Sequence, residues 1–213
     1  MGSPDLSGKK VGAYLLTSII GFGSAGNVYR AVDTASEGSK TFAVKCLPKG
    51  KISRRRWLQL VAEVINHDIV TGCSHVLPLC DIVEEDSYFF LVLDMCETDM
   101  FKAIWQTKVY WRNDALIRKA FVEVMDGVIA CHERGIFHRD LKPENLMCKA
   151  DGTGIQIGDF GLATNHRICQ DGGCGSPYYM SPGQSVAATH VLIELTSVEN
   201  VGLVRRETPI LVV

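Results

Sequence analysis

The 213-residue sequence predicts an α+β fold in two unequal parts. A small antiparallel sheet of five strands with one inserted helix comes first, and a mainly helical region follows. Two observations carry this. The first half alternates apolar and polar residues in short runs bounded by Gly-rich or acidic turns, the pattern of half-buried strands. Residues 114–134 instead repeat apolar side chains at steps of three and four, the pattern of an amphipathic helix.

The elements follow in order. Residues 13–21 (AYLLTSIIG) and 26–33 (GNVYRAVD) read as two strands joined by a Gly-rich turn, and 41–47 (TFAVKCL) as a third. The basic run KGKISRRR then leads into a helix. Its Lys49, Lys51, Arg54, Arg55 and Arg56 read as a solvated turn and helix start, because no aromatic interleaving continues them as a nucleic-acid patch. Leu58, Val61, Ile65 and Ile69 share one apolar face of that helix, and Gly72 follows as its stop. Strands are expected at 76–83 and 88–94 around the acidic turn Glu84-Glu85-Asp86, then a short helix at 99–107. The helix at 114–134 has Asn113 as N-cap, Gly135 as stop, and Ile117, Phe121, Val124, Val128 and Cys131 as its buried stripe. Loops and short strands come after it, and no internal repeat is present.

Composition narrows the class. Apolar residues make up 46% and charged residues 22%, which is ordinary for a globular chain and argues against disorder. A net charge of −2 argues against coating nucleic acid. No run approaches the ~18 apolar residues of a membrane span. The N-terminus MGSPDLSGKK lacks a signal-peptide core, and Leu6 breaks the myristoylation pattern begun by Gly2. None of the eight cysteines forms a CxxC pair, so zinc has little support. They read as reduced thiols of a cytoplasmic or nuclear protein. Cys169 and Cys174, in a polar Gly-rich loop, have redox activity as an alternative.

Three runs carry chemistry. Gly21-Phe22-Gly23-Ser24-Ala25-Gly26-Asn27-Val28 fits GxGxxGxV. That pattern also opens dinucleotide-binding folds, but there a helix follows the glycines, whereas here NVYRAVD is strand-like. Glycines joining two strands form a flap whose backbone N–H groups approach phosphates unhindered by Cβ. Lys45, inside FAVKCL, needs an anionic partner, because an unpaired buried ammonium is expensive. Glu63 on the following helix supplies one, and such a pair reads equally as a purely structural ion pair. The third run is His138-Arg139-Asp140-Leu141-Lys142-Pro143-Glu144-Asn145, followed by Asp159-Phe160-Gly161.

Through GFGSAGNV, FAVK, HRDLKPEN, DFG and GSPYYMSP, in that order, residues 13–182 resemble the eukaryotic protein kinase family, serine/threonine type, and most closely its fungal members. The resemblance implies a sheet lobe at 13–94, a hinge at 94–98 and a partial helical lobe at 99–182, with 1–12 as a leader. It implies transfer of the γ-phosphoryl of ATP, with Mg²⁺, to a Ser or Thr hydroxyl of a protein. Asp140 would take the hydroxyl proton and Lys142 would steady the phosphoryl. Asn145 and Asp159 would hold Mg²⁺, and Lys45, positioned by Glu63, would hold the α and β phosphates under Gly21, Gly23 and Gly26. Val28, Ala43 and Met147 would sandwich the adenine, with Leu93 behind it, the backbone of Asp94–Cys96 at its edge and Asp99 near the ribose. Ser176 matches the position that contacts the catalytic Asp, and Asp171 is expected to pair with Arg139 in place of a phosphate.

The resemblance stops at Ser181-Pro182-Gly183, where the family has Glu at the third position. Residues 183–213 are expected to form a non-family tail, either strand-forming or unfolded, that reads as a truncated or mis-spliced product. On that reading the apolar stripe at 114–134 faces water and activity is weak or lost. The alternative function is a non-catalytic nucleotide-binding or interaction module. A dinucleotide-dependent oxidoreductase is a distant third.

Overall fold

The computed structural model describes residues 4–22, 26–35, 40–50, 53–166, 168–169, 174–180 and 191–192. Gly23, Asp171, Pro182 and nearly all of the tail lie outside the described residues.

A six-stranded antiparallel sheet forms the first half. Its strands are β1 (Lys10–Val11), β2 (Tyr14–Phe22), β3 (Asn27–Asp33), β4 (Thr41–Pro48), β5 (Leu79–Glu84) and β6 (Tyr88–Asp94), in the order β1-β2-β3-β4-β6-β5. The five expected strands are all present. The leader adds a short edge strand, since Val11 is fully buried and the Leu6 N–H donates to Tyr29 Oη at 2.9 Å. The fourth expected strand starts at Leu79, because Val76 bridges to Ile157 instead. Two register shifts in β2, at Leu16/Ser18 and Ile19/Gly21, bend it as it enters the Gly-rich turn.

Period two decides what each face of the central strand β4 meets. Val44 and Cys46 join Leu16, Tyr29, Ala31, Phe90 and Val92 in one cluster. Leu47, and Ala43 at its margin, join Leu60, Leu77, Leu79, Leu91 and Leu93 in another, under helix α1 (Arg54–Val70). Lys45 alternates with Ala43 and Leu47 and so points toward α1.

Helix α1 corrects the sequence reading. Its buried residues are Leu60, Glu63, Asn66, His67 and Val70, while Leu58, Ile65 and Ile69 on the expected apolar face are exposed. The inward face is mixed: Leu60 and Val70 join the apolar clusters, while Glu63, Asn66 and His67 meet Lys45 and backbone carbonyls. Ser53 caps the helix, its Oγ accepting from the Arg56 N–H at 3.2 Å.

A second, largely helical region contains β7 (Thr98–Asp99), α2 (Met100–Trp105), α3 (Asp114–Glu133), β8 (Leu146–Cys148) and β9 (Gln156–Ile157). Strands β7-β8-β9 make a small sheet packed on α3. Asn113 is the N-cap, its Oδ1 accepting from the Leu116 N–H at 3.1 Å, and Gly135 follows the helix end with φ of 72°. The buried stripe is Ala120, Gly127, Val128 and Cys131. Val124 is partly buried, while Ile117 and Phe121 are exposed, so only the C-terminal half of the expected stripe turns inward. Small residues replace large ones there because the backbone comes close: a Cβ on Gly127 would lie 2.8 Å from the His75 carbonyl oxygen. A two-residue pair, β10 (Ile168–Cys169) with β11 (Val191–Leu192), is antiparallel.

Candidate active site

The site lies between the sheet and the β7-β8-β9 region. Strand β4 carries Lys45, α1 carries Glu63, and the turn after β9 carries Asp159. Lys45 Nζ lies 2.5 Å from Glu63 Oε1 and 2.6 Å from Asp159 Oδ1. Lys45 and Glu63 are 7% and 3% exposed, whereas the Asp159 side chain is 48% exposed and opens the cluster to solvent. Burial works against the charged form of Lys45, but the two carboxylates outweigh it and raise its pKa. Burial also pushes the Asp159 carboxyl up, and the adjacent Lys45 charge and hydrogen bond bring it below its usual value.

A second cluster sits on the loop between α3 and β8. Ser176 donates through its N–H and its hydroxyl to Asp140 Oδ1, both at 2.8 Å. Lys142 Nζ bridges Asp140 Oδ2 at 2.9 Å and Ser176 Oγ at 2.8 Å. Asn145 Nδ2 donates to the Asp140 carbonyl at 2.8 Å and to Oδ2 at 3.2 Å. Both Asp140 carboxylate oxygens are therefore oriented, and a small cavity of about 10 Å³ beside the residue is lined by Arg139, Asp140, Leu141, Gly175, Ser176, Tyr179 and Met180.

The backbone is forced at this site. Arg139 and Asp159 both have positive φ, 66° and 59°, a region that side chains with Cβ enter only when surrounding contacts demand it. Those contacts are visible. Arg139 Nε donates to the Leu162 carbonyl at 2.7 Å, and Phe137 and Thr164 exchange backbone bonds of 2.8 and 2.9 Å. His138 Nε2 donates to the Gly158 carbonyl at 2.9 Å. Its Nδ1 accepts from the Asp140 N–H at 3.3 Å, so the neutral ring with hydrogen on Nε2 satisfies both contacts.

The apolar wall also assembles. Leu93 is buried in one cluster with Ala43, Cys96 and Met147 packed against it, and Val28 lies opposite Lys45 on β3. Asp94 binds Lys40 at 3.0 Å, and its N–H donates to the Pro78 carbonyl. Asp99 caps α2, its Oδ1 accepting from the Lys102 N–H at 2.9 Å, and its Oδ2 pairs with Lys102 Nζ at 2.8 Å, so both oxygens are engaged. Gly21 is in β2. Gly26 packs so tightly that a Cβ would lie 1.9 Å from the Cys46 carbonyl oxygen.

Two residues escaped the sequence reading. Asn66 and His67 follow Glu63 by three and four positions, which places all three on one helical face. That spacing was the available signal, and the aliphatic run at 58, 61, 65 and 69 masked it.

A profile of the protein kinase domain matches residues 14–189. The chain is similar to the Schizosaccharomyces pombe protein "Negative regulator of sexual conjugation and meiosis", 38% identical over 166 residues that cover 78% of the chain and 35% of the yeast protein. It is also similar to two proteins of Arabidopsis thaliana. CBL-interacting serine/threonine-protein kinase 17 is 32% identical over 184 residues, covering 83% of the chain and 41% of that protein. CBL-interacting serine/threonine-protein kinase 1 is 33% identical over 182 residues, covering 82% and 40%. The chain thus spans roughly two fifths or less of each relative's length.

Proposed function

Since the chain belongs to the protein kinase domain family, of the serine/threonine type, we propose that it binds Mg-ATP and passes the γ-phosphoryl to a Ser or Thr hydroxyl of a protein. The observation that carries this reading is the meeting of Lys45 with Glu63 and with Asp159, a residue 114 positions away in sequence. A buried ion pair serving structure alone has no need of a second, half-exposed carboxylate.

The residues fit the ligand chemically. Asp159 and Asn145 offer the hard oxygen donors that Mg²⁺ takes, and Lys45 offers an ammonium for phosphate oxygens. When bound, Mg-ATP supplies the phosphoryl group and the metal's neutralising charge. Lys45 then holds phosphate with Glu63 fixing its direction. The backbone around Gly21 and Gly26 covers the phosphates, and Ala43, Val28, Leu93 and Met147 exclude water from the base. Cys96 presents backbone to the base edge, as does Asp94 through its carbonyl.

At the transfer end, Asp140 accepts the proton of the attacking hydroxyl. Ser176 and Asn145 orient its carboxylate, and Lys142 places a positive charge beside the transferring oxygens. Asp99, with both oxygens engaged, reaches a ribose only by giving up Lys102.

Lys45→Met tests the reading. We expect Mg-ATP affinity to fall at least about tenfold, as loss of a buried charge-assisted contact implies, in an isothermal titration. Unchanged affinity would overturn it.

A second reading is favoured by the apolar side chains exposed on and between α2 and α3, namely Trp105, Trp111, Ile117 and Phe121. On that reading the isolated chain binds nucleotide but transfers phosphoryl weakly or not at all. Stabilisation by Mg-ATP in a thermal-shift assay, without labelled phosphate reaching a Ser/Thr peptide, would favour it over the first.

A further inference from the structure

Residues 5–11 precede every motif of the site, yet they are built into the sheet. Val11 is buried in one cluster with Leu16, Tyr29 and Phe90, and Leu6 packs against it, on the face turned away from α1. The Leu6 N–H donates to Tyr29 Oη at 2.9 Å. The Gly8 N–H donates to the Leu16 carbonyl at 2.8 Å, and the Leu16 N–H donates to the Lys9 carbonyl at 2.9 Å. Gly8 has φ of 84°, which lets the chain turn between these contacts. Asp5 Oδ1 accepts from the Ser7 N–H at 2.9 Å and from its hydroxyl at 2.8 Å, which orders the segment ahead of that turn.

The far end of the segment reaches across the sheet. β1 and β5 are its two edges. Lys9 nonetheless pairs with Glu85, just past β5, at 2.7 Å, and its Nζ lies 5.9 Å from the centre of the Phe90 ring. Gly12, just past β1, has its Cβ position 3.5 Å from Val83 Cγ2 on β5. The sheet therefore curls until its edges meet, and Lys9 spans the seam. Tyr29 marks the other anchor. It pairs with Ile19, next to the Gly21–Val28 and Phe22–Asn27 pairs that end the β2–β3 hairpin. Strand alternation puts its side chain on the face opposite that of Val28. The segment thus backs the stretch of β3 whose other face covers the base. Its outer link is weak: Lys9 and Glu85 are each about one third exposed, so that ion pair opens without unfolding the sheet.

We propose that residues 5–11 are a strap that ties the nucleotide-covering β2–β3 hairpin to the β5–β6 turn, with Tyr29 and Lys9 as positioning residues, and that its release speeds the departure of bound nucleotide. This rests on the nucleotide-binding reading of the site. The strap touches no nucleotide itself. It acts by limiting how far the hairpin lifts, so its effect falls on dissociation rather than on encounter.

The test follows association and release of a fluorescent Mg-ADP analogue by stopped flow on wild type, Tyr29→Phe, Lys9→Met and Lys45→Met. Tyr29→Phe keeps the buried ring and removes the acceptor for the Leu6 N–H. Release should quicken about fivefold, the size of one half-buried hydrogen bond, with the association rate unchanged. Lys9→Met keeps the side-chain stem and should quicken release about twofold. A lowered thermal midpoint with unchanged release would mark a merely structural role and overturn the strap. If wild type binds no nucleotide, or Lys45→Met binds as wild type does, the nucleotide reading fails and the strap's role falls with it. Lys45-dependent binding with wild-type release rates in both strap variants would overturn the strap alone.

Hydrogen exchange on wild type needs no variant. On adding Mg-ADP, the amides of Leu6, Gly8 and Leu16 should gain protection together with those of 27–29. Protection of 27–29 with no change at Leu6 and Gly8 would overturn the strap even if Tyr29→Phe fails to fold.

Discussion

A methyl group on residue 26 would collide with the Cys46 carbonyl, whereas one on Gly50 would meet nothing within 4 Å. Gly26→Ala should therefore cost about 1–3 kcal/mol by overpacking, read from urea melts, and weaken nucleotide binding through a shifted β3–β4 register. Gly50→Ala should leave both unchanged. The buried imidazoles make a separate residue-scale prediction. Burial pushes His67 from its ordinary value near 6.5 down to about 4, with Lys45 and His138 adding to the shift and the Leu77 carbonyl and Asp159 opposing it. Burial lowers His138 as well. The unfolded chain thus takes up protons before the folded one. Stability from these rings is complete above pH ~6.5 and drains away as pH falls toward 4. His67→Gln should flatten that acid limb without abolishing it, because His138 still contributes.

At the scale of the element, α1 separates what its sequence announces from what its packing uses. Ile65, 51% exposed, belongs to the aliphatic run, while Leu60 is buried beneath the sheet. Ile65→Gln should shift stability by no more than about 0.5 kcal/mol. Leu60→Ala should cost about 2–5 kcal/mol, both read from denaturant midpoints. The limits of α1 and α3, the Asn113 cap, the Gly135 stop and strand β6 were legible because caps, glycines and alternation are local physics. The facing of α1 was not legible, since it depends on carbonyls that arrive from 77 and 163. Strand β1 was hidden too, as two residues carry no periodicity. At the site, Lys45, Asp140, Asn145 and Asp159 stood out in ordered motifs, and Glu63 as the anionic partner that Lys45 requires. Asn66, His67 and the engagement of Asp99 with Lys102 required the tertiary arrangement.

Across the whole molecule, large apolar side chains remain on the surface of α2 and α3, with Phe121 65% exposed. Large apolar side chains left at the surface favour association. The double variant Trp111→Gln with Phe121→Gln should raise the monomer fraction in light scattering while leaving Mg-ATP affinity intact. Unchanged association would show that the contacts lie elsewhere. The middle apolar cluster has a consequence for how the molecule comes apart. It draws Leu47, Leu60, Leu91 and Leu93 from the sheet half and Met147 from β8. Neither half keeps that seam dry once the other has melted. Heating should thus produce one cooperative calorimetric peak rather than two, and a compound wedged in the cleft should move that single peak as a unit.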